Sequence, residues 1–106
     1  MNPKKLERQA HAAASLLKAA SNPRRLLILC HLTDGEKSVG ELEQRLAMRQ
    51  PHLSQHLARL RRDKLVRTRR ASRTIYYRLA SNEAKRLIAL LYDLYCSPPA
   101  RAKTRA

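Results

Sequence analysis

RQPHLSQHLARLRRD, residues 49–63, is the stretch whose reading decides this chain. Leu53, Leu57 and Leu60 recur at i, i+4 and i+7, so a helix here gathers them on one apolar stripe. At about 100° per residue, the opposite side carries Gln55, Ala58, Arg59 and Arg62, with His52 beside them. That face holds amide, imidazole and guanidinium groups and no carboxylate. Such groups pair with base edges and phosphates in a DNA major groove. Residues 38–46 read as another short helix, and the two together have the form of a helix-turn-helix whose second member reads the DNA.

Composition supports the same direction. The chain has 106 residues, which predicts one domain, and its core must be small, with no Trp, no Phe and eighteen leucines. A core of this size commonly gains stability from a partner subunit. The formal charge of +15, from 23 Lys+Arg against 8 Asp+Glu, favours a polyanionic partner, nucleic acid above all, over a basic surface that serves only solubility. Lys4 and Lys5 precede an Ala-rich run, but Glu7, Arg8, His11 and Lys18 interrupt it, so it does not read as a secretory signal. No apolar run approaches the roughly 18 residues of a membrane span. A cytoplasmic protein is expected, in which a permanent structural disulfide is not. The two cysteines, Cys30 and Cys96, are then open to three roles: apolar packing, a redox pair, or half of a metal site.

In chain order, residues 1–5 are expected to be disordered, followed by a domain over 6–96. The first helix is predicted over 6–20, where Leu6, Ala10, Ala13, Leu17 and Ala20 keep a near-heptad spacing suited to close helix approach. Asn22 and Pro23 supply an N-cap and a first helical residue for a second helix over 24–33, with Leu26, Leu27, Leu29 and Cys30 as its apolar face. Gly35 suits a left-handed C-cap. Ser38 and Glu41 have capping-box spacing for the third helix. After Asp63 the period changes from helical to alternating: residues 66–70 and 74–79 read as two strands of a β-hairpin, with Ala71, Ser72 and Arg73 between them. Arg69, Arg70 and Arg73 are placed at its tip. A basic hairpin directly after a reading helix is a wing, set to touch backbone phosphate or a minor groove. Ser81 caps a last helix over 82–96, and residues 97–106 read as a disordered basic tail.

The order helix, helix, helix-turn-helix, hairpin, helix resembles the ArsR family of bacterial winged-helix repressors. The segments that carry the likeness are 21–26 (SNPRRL), 38–42 (SVGEL), 53–57 (LSQHL), 60–63 (LRRD) and the wing at 66–79. Within the family, the likeness is strongest to thiol-based sulfide and persulfide sensors of the BigR/SqrR type and to HlyU-type regulators. Those carry one cysteine in the second helix and one at the end of the last, as Cys30 and Cys96 stand here. The resemblance implies a homodimer through the first and last helices. It also implies release of operator DNA when the two thiols are bridged after reaction with sulfane sulfur or an oxidant. HlyU-type relatives are known chiefly as anti-repressors, so the regulatory sign stays open. One position departs from the pattern: Arg49 opens the reading helix where many members have Ser, and Arg cannot cap as Ser does.

The expected fold is mainly α (α+β): a winged helix-turn-helix of five helices with a hairpin wing. The expected DNA-facing residues are Gln50, His52, Ser54, Gln55, His56 and Arg59 from the reading helix, and Arg69, Arg70 and Arg73 from the wing. Gln55, Arg59 and His52 rank first by geometry, while His56 lies nearer the apolar stripe. The resemblance implies Cys30 with Cys96 as the redox pair; composition alone favours packing for both. No metal or other cofactor is expected. The third helix has no cysteine, the last offers Glu83 and Asp93 but no His, and the four histidines show no ligand spacing shared with a cysteine. His52 and His56, at i and i+4, would suit a metal but lie on the proposed DNA face. A metal-sensing or non-sensing DNA binder of the same fold remains an alternative. No nucleophile-base-orienter set or phosphate loop points to an enzyme.

Overall fold

The computed structural model describes residues 2–96. Its elements run α1 Pro3–Ala20, α2 Pro23–His31, β1 Lys37–Ser38, α3 Val39–Leu46, α4 Gln50–Arg62, β2 Val66–Ala71, β3 Thr74–Leu79 and α5 Asn82–Cys96. Residues 97–106, expected to be a disordered tail, lie outside the described residues.

Caps set most of the boundaries. Asn22 Oδ1 accepts the backbone N–H groups of Arg24 at 3.0 Å and Arg25 at 3.1 Å, with Pro23 opening α2. The same pair of residue types opens α1: Asn2 accepts from Lys4 and Lys5, and Pro3 follows. The first helix therefore starts three residues before the expected Leu6, and residues 2–5 are capped helix rather than a disordered lead. Helix α2 ends at His31, with Leu32 as its C-cap. Gly35, at φ +143°, is not the left-handed cap expected of it, because the chain has already turned through residues 32–34. The capping box of α3 is complete: Ser38 Oγ accepts from Glu41 N at 3.2 Å, and Ser38 N donates to Glu41 Oε1 at 3.0 Å. Ala47, left-handed at φ 51°, turns the chain between α3 and α4. Arg49 makes no side-chain cap bond, as its chemistry requires. Ser81 Oγ accepts from Ala84 N and caps the last helix.

The hairpin is joined by a third strand that the alternating pattern does not reveal. β1 pairs antiparallel with β3 (Lys37 opposite Tyr77, Ser38 opposite Tyr76), so the sheet order is β1-β3-β2. Lys37 is buried there, and its Nζ bonds Asp34 at 2.9 Å. Leu53, Leu57 and Leu60 of α4 are buried as their spacing predicts, against Ile28 and Leu29 of α2, Leu42 of α3, Val66 and Leu79 of the wing, and Ala84 and Ile88 of α5. One residue changes place: Leu27 is 51% exposed, and Ile28 takes its position in the core. The inner face of α2 is centred on Ile28, Leu29 and Leu32, one position later than expected. Leu6 and Leu17 of α1, and Leu90, Tyr92, Leu94 and Tyr95 of α5, stay exposed in the single chain.

Candidate nucleic-acid interface and thiol pair

Burying the three leucines of α4 fixes which of its residues face water. Gln50, His52, Ser54 and Gln55 are exposed, while His56 and Arg59 are partly covered. Arg59 is committed within the protein: its Nε donates to Asp63 Oδ2 at 2.8 Å, one turn on. Pairing leaves it less available to DNA than its position on the helical wheel suggests. His56 is held below the ordinary imidazole value, chiefly by burial and then by the charges of Arg25, Arg24 and His52. The first turn of α2 thus brings the charges of Arg24 and Arg25 to this flank of α4.

The wing is rearranged relative to expectation. Ala71 pairs with Thr74, so the turn is Ser72-Arg73, with Ser72 left-handed at φ 60°. Arg73 is at the tip and Arg70, opposite Ile75, is next to it. Arg69 is not at the tip. It sits opposite Tyr76, lays its guanidinium 4.8 Å from that ring's centre, and bonds both carboxylate oxygens of Glu36, its Nε at 3.1 and 3.2 Å. This fork pulls the Glu36 carboxyl below its usual value and keeps Arg69 flat on the sheet. Cations outside the expected set are also exposed nearby, among them Arg61, Arg67 and Arg78. Their signal was present in the sequence, since each stands at an outward position of a predicted element.

Helices α2 and α5 pack together, and they carry the two cysteines. Both thiols are free, Cys30 half-buried and Cys96 exposed. The Cys30 thiol is pushed up from its ordinary value, first by burial and then by the charge of Cys96. The two sulfurs therefore share one electrostatic neighbourhood although 66 positions of sequence separate them. Among the described residues no group of three or more His, Cys, Asp or Glu converges as a metal site. Among the same residues, no helix is long and apolar enough to cross a membrane.

Comparison with known proteins agrees with this geometry. Residues 22–68 match the family model described as bacterial regulatory protein, arsR family. The transcriptional activator HlyU of Vibrio cholerae is 54% identical over 91% of this chain and 89% of its own length. The structure of reduced HlyU from that organism superposes with a TM-score of 0.82. The transcriptional repressor BigR of Xylella fastidiosa gives a TM-score of 0.84 at 44% identity, over 92% of this chain and all of that one. A homodimeric winged helix-turn-helix domain from Mycobacterium bovis gives 0.75 at 32% identity, over 89% of this chain and 86% of that one. These relatives are regulators, not enzymes. Winged-helix architecture, basic reading helix and this degree of identity over nearly the whole chain together make it a member of the ArsR family, a DNA-binding transcriptional regulator.

Proposed function

We propose that the protein is a cytoplasmic, homodimeric, thiol-switched repressor that holds operator DNA with both thiols free and releases it when Cys30 and Cys96 are bridged. The observation that supports this reading is the packing of α2 against α5, the two helices that carry Cys30 and Cys96, and the charge of Cys96 adds to the burial that raises the Cys30 pKa. The exposed apolar residues of α1 and α5 supply a dimer surface. The exposed residues Gln50, His52, Ser54 and Gln55, with His56 at their edge, supply base and phosphate contacts. Arg70 and Arg73 supply the wing's, and Arg59 and Arg69 contribute charge while held by Asp63 and Glu36.

The exposure of the two thiols supports one order of reaction. Cys96 is exposed and meets a persulfide donor first. Its thiolate takes the terminal sulfane sulfur of the donor, and the donor leaves as a thiol. Cys30, half-buried and harder to ionise, then attacks the Cys96 sulfur and expels hydrosulfide. In total, two thiols and one persulfide give one disulfide, one thiol and one hydrogen sulfide. A longer sulfur bridge forms when further donor reacts before Cys30 closes it. Linking α2 to α5 displaces the dimer helices against the core and so changes the spacing of two reading helices that must match half-sites about one DNA turn apart.

Peptide mapping of the persulfide-treated protein under non-reducing conditions tests the chemistry. A Cys30–Cys96 link within one chain is expected, and links only between chains would contradict it. The 54% identity to an activator favours a second reading, in which the same DNA complex raises expression by displacing another protein. A target-promoter reporter in a deletion strain separates the two: expression rises for a repressor and falls for an anti-repressor.

A further inference from the structure

We propose that the cleft between the end of α4 and β2, lined by Arg61, Lys64 and Arg67, holds a backbone phosphate of bound DNA. This rests on the DNA-binding reading above and extends it to a surface outside the exposed face of α4 and the wing tip. The cleft has a volume of about 420 Å³ and is completed by Thr68 and Ser81. No carboxylate lines it. The nearest in sequence, Asp63, is engaged by Arg59. Arg61, Lys64 and Arg67 are exposed and make no ion pair among the described residues.

Two further observations separate this cluster from an ordinary solvated basic surface. Lys64 N donates to Arg61 O at 3.0 Å and Leu65 N to Leu60 O at 2.9 Å, the paired bonds of a Schellman motif. Its left-handed position is the one that glycine usually fills, yet here Lys64 stands at φ +63°. A charged side chain is thus kept where the backbone favours having none. Arg67 and Arg78 are directly opposite each other across the hairpin, a like-charge pair that destabilises the free protein. Glu36 feels the charge of Arg78, but its bonds go to Arg69. The negative end of the α4 dipole accounts for cations in its last turn but not for Arg67 or Arg78 on the strands. A polyanion in the cleft meets Arg61, Lys64 and Arg67 together and, through Arg67, offsets the repulsion from Arg78. The DNA proposed for α4 and the hairpin supplies such a polyanion, since its backbone phosphates are what exposed Arg and Lys beside a reading helix engage.

The test compares the native full-length protein with Arg61→Gln/Arg67→Gln and, separately, Lys64→Asn, which keeps a residue tolerant of the left-handed backbone while removing the charge. Binding is read by fluorescence anisotropy over a salt series, on the duplex from upstream of the protein's own gene and on a random duplex of equal length. Melting temperature checks that each variant folds. Both variants are expected to weaken both duplexes by the same factor, roughly three- to tenfold, and to lower the salt slope by about one for each phosphate no longer neutralised. Unchanged affinity and slope in both variants, while the native protein still prefers its own upstream duplex, would overturn the phosphate site and leave the DNA reading standing. Absence of native binding to either duplex would instead remove the DNA reading and this site with it. A melting temperature raised by millimolar inorganic phosphate in the native protein alone, with DNA affinity unaltered in the variants, would make the cleft a free-anion site and likewise overturn the proposal.

Discussion

Gln55 and Arg59 lie one turn apart on α4 and differ in what already holds them. Gln55 is exposed, and its amide suits bidentate pairing with adenine. Arg59 is tied to Asp63. Gln55→Ala is therefore expected to cost about 1–3 kcal/mol of operator binding and little on random DNA, narrowing the gap between them. Equal losses on both duplexes would refute a base-reading role. On the wing, Arg70→Ala and Arg73→Ala should each weaken binding more than Arg69→Ala, because Glu36 already occupies the Arg69 guanidinium. Titration of the three variants against one random duplex checks the order. His56 gives a pH signature. Its folded-state pKa is lowered, so as pH falls below about 6.5 the unfolded chain takes up the proton first and stability declines until the folded state titrates as well. His56→Gln should flatten that acid-side decline in a series of thermal melts, while melts near pH 8 keep their separation from the native protein.

Among the elements, α4 carries both the core and the reading face, so its two faces should respond differently to truncation. Leu57 is 1% exposed, and Leu57→Ala is expected to cost about 2–5 kcal/mol of stability. Urea denaturation measures this, and a cost below about 1 kcal/mol would mean that α4 is not the centre of the core. The stripe of α4, the capping box of α3 and the alternation of the wing are legible in sequence because each is written within a few residues. The start of α1 was missed although its signal is local, since Asn2-Pro3 repeats the cap signal of Asn22-Pro23. The rest of what escaped is non-local. β1 is two residues long and shows no alternation, and it exists only because β3, far along the chain, offers it an edge. The Glu36–Arg69 fork joins residues 33 apart, so a row of arginines read as a free tip contains one that is bound. The inner face of α2 is equally a tertiary choice. Its run Leu26-Leu27-Ile28-Leu29 is apolar on every side, and packing against α4 and α5 selects Ile28 over Leu27.

The whole molecule joins three surfaces: apolar residues of α1 and α5, a basic face on α4 and the wing, and two thiols carried by α2 and α5. Leu90 and Leu94 are 53% and 43% exposed in the single chain, which is expected of helix residues awaiting a partner subunit. Leu90→Glu with Leu94→Glu should give a monomer by sedimentation and weaken operator binding roughly a hundredfold or more, because the second reading helix is no longer tethered to the first. A stable dimer in that double variant would move the interface elsewhere. The central claim is that the state of the two thiols sets DNA affinity, and one comparison tests it directly. Operator affinity is measured at fixed salt by fluorescence anisotropy, on DNA from upstream of the protein's own gene, for reduced protein and for protein treated with an organic persulfide, with Cys30→Ser as control. A thiol switch predicts a drop of roughly tenfold or more, about 1.4 kcal/mol, in the native protein and none in Cys30→Ser. Specific binding that is indifferent to treatment in both would contradict it, leaving a winged-helix DNA binder in which Cys30 packs against the core and neither thiol acts as a switch.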